Sequence, residues 1–456
     1  MSEPVKVIQP VTKPFDVRLS LPGSKSYSNR ALICAALSLK RVALHGLSNS
    51  DDTALLLNVL VDLGWRIRRQ RVNPANVDVH PHSHPEGIAG PKTLNAGNAG
   101  TVARFALALL ARIEGEHTLD GGARMRQRPM ADLIDALRQM GGGLTELGAI
   151  GCLPVKVRGG LLRGGKVTVK GGTSSQFLSA IMLIAPSLEA PTDIRVKGDL
   201  VSKPYIDATL SVMHAFGLPR ENVQRDGYKR FVIKPARYVM PLYRVPPDAT
   251  AASYFWAAAA LTGGKCVIDG LTRDLPGDAA FVDLLGKMGC KVLSFPNGLG
   301  VQGPKSRALK AIKADLSDTP DTAQTLAVVC AFAKGKSKLT GLSTLRVKET
   351  DRIAALATEL KKLGAGVRTG KDWIEIVGAP VSGTRFQVSG KKPSTTKQTR
   401  NPTPDTRYPI HTYDDHRMAM SFAVAGLVMP GIEIENPDCV SKSFPDFWEY
   451  FERLKS

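Results

Sequence analysis

The sequence predicts an α/β protein of two domains, in which one module of about 70 residues recurs six times. At 456 residues the chain is too long for one ordinary hydrophobic core, and its 43% apolar content is typical of a packed globular protein. Six times, a short polar stretch runs directly into a helix-like segment of small apolar residues. Short β-branched stretches lie between these segments, so the two patterns together indicate a mixed α/β module.

Each module starts with a polar loop that leads into an apolar helix, and it contains a second, amphipathic helix. The polar loops begin at Gly23, Asn95, Gly171, Pro246, Asp318 and Tyr413. The second helices open on an aspartate and most of them close on a glycine, as in DTALLLNVLVDLG from Asp52. Aspartate suits a helix N-cap or first turn, and glycine suits the position just after a helix, so these residues mark both helix ends.

Strands are predicted at residues 166–171, 192–198, 230–234 and 373–378, which are rich in β-branched residues. Three modules per domain would give two domains of similar size, and the proline-rich RVPPDA at residues 244–249 is a natural crossover between them. LPG at residues 21–23 suggests that the first strand belongs with the C-terminal half. We therefore expect one domain from residues 23–245 and another from residues 1–22 plus 246–456.

The formal net charge of +20 leaves three classes of partner to consider: nucleic acid, an acidic membrane surface and small polyanionic substrates. Part of the excess lies in a basic, proline-containing insertion at about residues 385–408, which we interpret as a surface segment of unknown role. Most of the other Lys and Arg residues stand singly inside polar motifs, and aromatic residues make up only 6% of the chain. That dispersal favours small anions over nucleic acid.

Several classes of protein are disfavoured by the composition and motifs. No apolar run approaches the ~18 residues that a membrane helix needs, and the first residues resemble neither a signal nor a transit peptide, so a cytoplasmic location is expected. The six cysteines are scattered without a CxxC pair, which indicates reduced thiols. His80, His82 and His84 alternate in a proline-containing loop, for which no metal site is predicted. Neither a P-loop nor a strand-linked GxGxxG motif is present.

Several polar loops carry side chains that bind anions, at helix starts where backbone N–H groups and the helix dipole favour negative charge. PGSKSYSNR combines the hydroxyls of Ser24, Ser26 and Ser28 with the charges of Lys25 and Arg30. GGTSSQF and SKPY offer neutral donors, NAGNAGT is a glycine-rich turn, and RMRQRP places three arginines before a helix. Each short motif alone also fits an ordinary helix start, whereas the whole PGSKSYSNR string is far more specific.

The last two polar loops add carboxylates to the basic residues. DTPDTA contains Asp321, LRVKETDR contains Lys348, Glu349 and Arg352, and YDDHRMA adds a histidine and an arginine. Lys348 and Arg352 are four residues apart and would share one face if that segment were helical. Glu349 between them fits either a surface ion pair or a carboxyl group that exchanges protons with a bound substrate.

Eight motifs, in order along the chain, resemble the 3-phosphoshikimate 1-carboxyvinyltransferase family, also called 5-enolpyruvylshikimate-3-phosphate synthase. They are LPGSKSYSNRAL, GNAGT, RPMADLIDAL, SSQFL, SKPYID, DATAASYF, RVKETDR and DDHRMAM, and they run from about Leu21 to Lys442. The resemblance implies an inside-out αβ barrel fold with six βαββαβ units, three in each of two domains. It also implies a monomer that uses no metal and no organic cofactor, with small anionic substrates as its partners and no nucleic acid or membrane.

The family reaction adds the 5-hydroxyl of shikimate 3-phosphate to C2 of phosphoenolpyruvate, then eliminates phosphate through a tetrahedral intermediate, in aromatic amino-acid biosynthesis. By resemblance, Asp321 and Glu349 exchange the protons, Lys348 lies beside the hydroxyl, and Lys25 joins the catalytic group. Both proton transfers need carboxyl groups near dense positive charge, which tunes their pKa values and stabilises oxyanions.

The resemblance further implies two sets of substrate contacts and a supporting set that orients them. Shikimate 3-phosphate is expected to contact Lys25, Ser26, Arg30, Ser174, Ser175, Gln176, Ser202, Tyr205, Asp321 and Lys348. Phosphoenolpyruvate is expected to contact Lys25, Gly100, Thr101, Arg128, Gln176, Arg352, Arg417 and Lys442. The supporting residues are Asp52, Asn98, Arg104, Asp248, Glu349 and His416. Retention of Gly100 also predicts sensitivity to the inhibitor glyphosate, whereas Phe105 and Thr344 depart from the pattern of many relatives.

Two alternative functions remain open from the sequence. A UDP-N-acetylglucosamine carboxyvinyltransferase would share the fold and the enolpyruvyl donor, but KSYSNR and SKPYID favour a phosphate-bearing acid as acceptor. A basic nucleic-acid-binding protein of the same repeated module would leave Asp321 and Glu349 without a role.

Overall fold

The computed structural model describes residues 4–82, 90–378 and 406–455 of the chain. His84 and most of the basic insertion, from residue 385 to residue 405, lie outside the described residues. Within them, no helix has the length and apolar character that would let it span a membrane.

The described residues form short strands and helices that alternate along the chain. The strands are β1 (Val5–Val7), β2 (Asp16–Leu19), β3 (Val42–His45), β4 (Ile67–Arg69), β5 (Val77–Val79), β6 (Lys92–Asn95), β7 (Gly115–Asp120), β8 (Gly143–Glu146), β9 (Val155–Gly159), β10 (Gly165–Lys170), β11 (Thr192–Lys197), β12 (Val223–Asp226), β13 (Arg230–Ile233), β14 (Leu242–Arg244), β15 (Lys265–Asp269), β16 (Lys291–Phe295), β17 (Gly298–Gln302), β18 (Lys313–Asp315), β19 (Gly335–Thr340), β20 (Gly366–Thr369), β21 (Ile374–Gly378), β22 (Tyr408–Ile410) and β23 (Ile432–Glu435). The helices are α1 (Lys25–Ala36), α2 (Asp51–Asp62), α3 (Gly100–Arg112), α4 (Ala131–Gln139), α5 (Ser175–Ile184), α6 (Pro204–Ala215), α7 (Ala249–Thr262), α8 (Phe281–Lys287), α9 (Ala323–Ala331), α10 (Arg352–Lys362), α11 (His416–Gly426) and α12 (Phe447–Glu452).

The strands form six small sheets, one for each module predicted from the sequence. Their orders are β14-β3-β5-β4, β6-β7-β9-β8, β10-β11-β13-β12, β16-β17-β15-β2, β18-β19-β21-β20 and β1-β23-β22. Each sheet contains one parallel pair, such as β6 with β7. In four of these pairs the two strands are connected by a crossover helix, which is α3, α5, α9 or α11. Each buried helix therefore starts directly after a strand, which brings the polar loops to one edge of each module.

The chain passes twice between its two halves, at residues 20–24 and 245–248. As a result, β2 pairs in parallel with β15 of the C-terminal half, while β14 pairs in parallel with β3 of the N-terminal half. The two passing segments hydrogen-bond to each other, because Ser24 N–H donates to the Pro246 carbonyl and Asp248 N–H donates to the Pro22 carbonyl. This two-stranded connection is the covalent hinge region between the halves.

The helices lie inside and the sheets outside, which matches the inside-out arrangement. In the N-terminal half α1, α3 and α5 pack against one another, and in the C-terminal half α7, α9 and α11 do the same. The alanine-rich sequence of α7 lets neighbouring helices approach closely, and almost every one of its residues is buried. The hydrophobic residues divide into two cores, one within residues 27–245 and one that combines residues 8–21 with residues 249–454.

One local expectation was wrong. The segment around Lys348 is not helical, because a 3₁₀ turn ends at Val347, Lys348 is extended, and α10 begins only at Arg352 behind its cap Asp351. Lys348 and Arg352 therefore do not share a helix face. They nevertheless converge on the same carboxylate, Asp321, from different directions.

Candidate active site

One cavity between the two halves collects nearly all the residues that the sequence nominated. The predicted substrate contacts that line it are Lys25, Ser26, Arg30, Gly100, Thr101, Arg128, Ser174, Ser175, Gln176, Ser202, Tyr205, Asp321, Lys348, Arg352 and Arg417. Asp52, Arg104, Glu349 and His416 of the supporting set line the same cavity. Lys442 and Asn98 line an adjoining pocket, and Asp248 lies behind the cavity as the N-cap of α7.

Arg352 is the centre of the charged cluster in the C-terminal half. Only 1% of its side chain is exposed, and it grips the buried carboxylate of Asp415 with two hydrogen bonds of 2.7 and 3.1 Å. The same guanidinium donates to Glu349 at 2.8 Å and lies 3.4 Å from Asp321. Because a guanidinium is planar and carries five donors, it can hold three carboxylates in fixed relative positions.

Asp321 lies in the 3₁₀ turn that precedes α9, surrounded by cations. Arg417 donates to it at 3.0 Å, and the Lys348 ammonium lies 3.5 Å away. Burial alone would raise the pKa of Asp321, but Arg417, Lys348 and Arg352 together outweigh it and hold that pKa well below its ordinary value. Asp321 is therefore ionised at neutral pH.

Glu349 lies on the other side of Arg352 and is also kept ionised. Burial would raise its pKa, but Arg352, Arg128 and Lys442 hold it well below the usual range. Its carboxylate is 4.0 Å from both Arg128 and Lys442. Because these cations are the predicted phosphoenolpyruvate contacts, a bound anion would compete for them and relax their effect on Glu349.

His416 is buried in the same cluster and is neutral. Both ring nitrogens have no hydrogen-bond partner among the described residues. Burial and the charges of Arg417 and Lys25 lower the pKa of His416 well below its ordinary value. This neutral imidazole therefore adds nothing to the positive charge of the cleft.

In the N-terminal half, the start of α3 is held to the start of α5 by a short polar network. Gln176 donates to the Thr101 hydroxyl at 3.0 Å and accepts from Arg104 at 2.6 Å. Gly100 lies against two guanidiniums, because a Cβ atom there would meet nitrogens of Arg104 and Arg128 at 2.6 Å. The glycine therefore allows the cations to approach the helix start closely.

Arg30 and Tyr205 connect α1 with α6 beneath the cavity. The Arg30 guanidinium is buried and donates to the Thr209 hydroxyl at 2.8 Å and to the Tyr205 carbonyl at 3.1 Å. Ser202 just before α6 has a φ of 56°, and its N–H donates to the Ser317 carbonyl of the other half at 2.9 Å. The position of this strained residue therefore depends on contact between the halves.

The three arginines of RMRQRP diverge and do not share one anion. Arg128 is buried at the cavity, where it donates to the Asn98 carbonyl at 3.2 Å. Arg126 pairs with Asp120 at the surface at 2.6 Å. Arg124 reaches across to the C-terminal half and donates to the backbone carbonyl of Lys348.

Further contacts between the halves show a closed cleft. Lys25 and Lys442, from opposite halves, both pair with Asp52, at 2.8 and 3.4 Å. Lys442 also donates to the Asn98 carbonyl at 3.0 Å. Because these lysines are predicted to contact substrate, closure and substrate binding use the same side chains.

Sequence reasoning missed two buried acids of this site. Asp415 lies in the motif DDHR. Arg352 needs a carboxylate that can accept two hydrogen bonds, and this need could have indicated Asp415. Asp278 follows Gly277 in the loop before α8, and no motif in the sequence connects it to the site. In the structure it accepts from the Tyr205 hydroxyl at 3.1 Å.

Buried guanidiniums and carboxylates, enclosed between two bodies of repeated α/β units, define an enzyme that closes over small polyanions. Residues 11–451 match the family described as EPSP synthase (3-phosphoshikimate 1-carboxyvinyltransferase). The chain belongs to this family.

Individual relatives agree along nearly the whole chain. It is 40% identical over 442 residues to the 3-phosphoshikimate 1-carboxyvinyltransferase of Cellvibrio japonicus (strain Ueda107), which covers 96% of each chain. It is 38% identical to the enzyme of the same name from Shewanella halifaxensis (strain HAW-EB4), which covers 98% of each. A solved structure of EPSP synthase from Acinetobacter baumannii superimposes with a TM-score of 0.78 at 27% identity, over 99% of this chain and 98% of that one.

These similarities confirm the family, the fold class and the transferase activity expected from the motifs. Enolpyruvyl transfer from phosphoenolpyruvate to shikimate 3-phosphate, in aromatic biosynthesis, is therefore the function, and its substrates are small molecules. Of the two carboxyvinyl transfers weighed from the sequence, the one onto shikimate 3-phosphate is the activity named for the relatives.

Proposed function

We propose that the cavity between the halves performs this transfer with Asp321 and Glu349 as the two proton-exchanging groups, assisted by Lys348 and Lys25. The observation that carries the proposal is the shared contact of Asp321 and Glu349 with one buried guanidinium, Arg352. Two carboxylates held on either side of one rigid group can act on two different reactants at fixed separation.

The two substrates are assigned to two sets of contacts that share Lys25 and Gln176. Shikimate 3-phosphate would contact Lys25, Ser26, Arg30, Ser174, Ser175, Gln176, Ser202, Tyr205, Asp321 and Lys348. Phosphoenolpyruvate would contact Lys25, Gly100, Thr101, Arg128, Gln176, Arg352, Arg417 and Lys442. The acceptor side is rich in hydroxyls, and the donor side is rich in guanidiniums, which suits a sugar-like acid and a compact phosphate ester respectively.

The reaction would then proceed in two steps. Asp321 takes the proton of the 5-hydroxyl as that oxygen bonds to C2 of phosphoenolpyruvate, while Glu349 gives a proton to the methylene carbon. In the second step phosphate leaves C2 and carries away the proton that Asp321 had taken. The new methyl group returns a proton to Glu349, which restores the vinyl group. The Lys348 ammonium, 3.5 Å from Asp321, stabilises negative charge that develops on the attacking oxygen.

Glu349 must be protonated before it can act as an acid. Arg352, Arg128 and Lys442 hold its pKa well below the usual range, so it is ionised at neutral pH before substrates bind. The negative charges of both substrates offset Arg352, Arg128 and Lys442 and thereby raise that pKa. Protonation of Glu349 is thus coupled to formation of the complex with both substrates.

The test is phosphate release from phosphoenolpyruvate, with and without shikimate 3-phosphate, for the wild type and Glu349→Gln. We expect release only with the acceptor present, and a loss of about 10²–10⁴-fold in kcat for the variant, as for removal of a general acid. Exposed Glu449, on α12, supplies the matched control Glu449→Gln. Acceptor-independent release, or an unimpaired Glu349→Gln enzyme, would refute the proposal.

We also propose a cytoplasmic monomer, active without metal or organic cofactor, that does not bind nucleic acid. Strand pairings of β2 and β14 support domains of residues 23–245 and residues 1–22 plus 246–456. Size-exclusion chromatography with light scattering measures the mass of the protein in solution. Activity that survives dialysis against a chelator would support the absence of a metal requirement. Salt-dependent binding to random oligonucleotides that shikimate 3-phosphate does not reduce would favour the nucleic-acid alternative.

A further inference from the structure

A buried acid outside the predicted site residues lies against the cleft. Asp278 begins the 3₁₀ turn before α8, and only 4% of it is exposed. One of its carboxylate oxygens accepts from the hydroxyls of Tyr205, at 3.1 Å, and Thr250. Its other oxygen has no hydrogen-bond partner among the described residues. A buried, half-satisfied carboxylate is costly, so its place beside the site calls for a functional reason.

Tyr205 links this acid to the proposed base. The phenol oxygen lies 3.1 Å from Asp278 and 3.5 Å from Asp321, between the two carboxylates. A phenol has one hydrogen to donate, and the shorter distance assigns it to Asp278. The lone pairs of the Tyr205 oxygen therefore face the Asp321 carboxylate. Both groups are hydrogen-bond acceptors, so no hydrogen bond joins them until Asp321 takes up a proton.

We propose that Asp278 is a positioning residue for the proton transfer: by accepting the Tyr205 hydrogen, it keeps the phenol oxygen as an acceptor for protonated Asp321. This rests on the proposed role of Asp321. The proton leaves the 5-hydroxyl oxygen, which bonds to C2, and binds to the Asp321 carboxylate. That new O–H donates a hydrogen bond to Tyr205, while Tyr205 and Asp278 keep their own protonation states.

The arrangement answers a difficulty of the site. Three cations make Asp321 a weak base, yet it has to take a proton from an alcohol. An acceptor aimed at its protonated form stabilises that form, and the buried negative charge of Asp278 acts in the same direction. Asp278 thus offsets part of the effect of the cations that bind the substrates.

The charge state of Asp278 is set by groups on every neighbouring element. Tyr205 of α6, Thr250 of α7 and the α7 cap Asp248 face it, together with Asp321 before α9 and Arg417 of α11. Burial and Asp321 raise the pKa of Asp278 to about 6, against the opposing effects of Thr250 and Arg417. Below that pH the carboxylate is protonated, its charge-assisted bond from Tyr205 weakens, and transfer should slow.

The test is kcat from pH 5 to 8, with both substrates saturating, for the wild type and Asp278→Asn. The amide oxygen can still accept from Tyr205 and Thr250, so mainly the charge is lost. We expect kcat at pH 7.5 to fall about tenfold, and the ratio of wild-type to variant kcat to decrease towards one as the pH falls through about 6. Substrate phosphates also titrate near pH 6, but their contribution is common to both enzymes and cancels from this ratio. Unchanged kcat, or a ratio that does not vary between pH 5 and 8, would overturn the proposal.

Two further variants keep the test decisive if Asp278→Asn folds poorly, which its melting temperature would reveal. Thr250→Val removes a donor to the Asp278 carboxylate, so the acidic limb of the kcat profile should move to higher pH; an unmoved limb counts against Asp278. In a Tyr205→Phe background, Asp278→Asn should reduce kcat by clearly less than tenfold, because only the direct effect of its charge on Asp321 remains. A full tenfold loss there would show that it does not act through Tyr205. If instead Asp321→Asn retains full kcat, the proposed function itself fails, whatever Asp278 does.

Discussion

Both halves of the molecule place the start of a buried helix at the cleft, but the side chains at these helix starts differ. In the N-terminal half, α3 begins at Gly100 without a side-chain cap among the described residues, so its first N–H groups can meet an anion. In the C-terminal half, α11 begins at His416 behind Asp415, whose carboxylate caps the helix and also holds Arg352. The start of α3 is therefore open to an anion, whereas an acid already occupies the start of α11.

The same contrast extends to the acids that line the cavity. The N-terminal half contributes Asp52, which is neutralised by lysines on both sides. The C-terminal half contributes Asp321 and Glu349 on either side of Arg352. The difference teaches that repeated modules can take different roles: in the proposed mechanism both halves contact substrate, whereas both proton-exchanging acids come from the C-terminal half. Variants on each side should therefore separate KM from kcat.

The largest effect is expected on the chemical side, for Asp321→Asn. The amide keeps the shape of the side chain but cannot take the hydroxyl proton, so kcat should fall by about 10²–10⁴-fold. KM values should change little or decrease, because the cleft becomes more positive. Steady-state kinetics with both substrates would measure this, with exposed Asp274→Asn as the matched control. A variant with normal kcat and a raised KM would place Asp321 among the binding groups and break the comparison.

A smaller effect is expected on the binding side, for Gln176→Ala. The change removes the link between Thr101 and Arg104, so the donors around phosphoenolpyruvate lose their alignment. We expect KM for phosphoenolpyruvate to rise about tenfold, the loss of roughly one hydrogen bond to a charged group, with kcat altered less than threefold. Gln224→Ala, on an exposed strand, is the control. A kcat loss as large as that of Asp321→Asn would deny that the two halves differ in role.

Much of the site could be predicted because its parts are local. Loops such as PGSKSYSNR and NAGNAGT precede the helices they were expected to precede, since the change from polar to apolar residues takes place within a few positions. Strands β10, β11, β13 and β21 also lie where β-branched residues indicated. Short-range patterns fix these elements before any long-range contact is made.

Contacts between modules could not be predicted in the same way. Asp415 meets Arg352 across 63 residues, and Asp278 meets Tyr205 across 73. Such pairs depend on how the modules pack against one another, and the spacing of apolar residues along the sequence does not indicate that packing. The same limit applies to Arg124 of RMRQRP, because the Lys348 carbonyl to which it donates lies 224 residues away in the other half.

The smallest expected effect concerns the stability of the C-terminal half, where burial and the neighbouring cations keep His416 neutral. Its pKa is depressed in the folded chain, so below about pH 6.5 the unfolded chain takes up a proton that the folded chain refuses. The stability present above pH 6.5 is therefore lost as the pH falls, by up to about 1.4 kcal/mol per pH unit. Relative to His416→Gln, the wild type should lose about 1 kcal/mol between pH 7.5 and 5.5, measured by urea unfolding at each pH. Asp278 titrates in the same range, but it is present in both proteins and cancels from the difference. A pH-independent difference between the two proteins would mean that His416 accepts a proton in place, and that the cation excess of this half is smaller than the structure indicates.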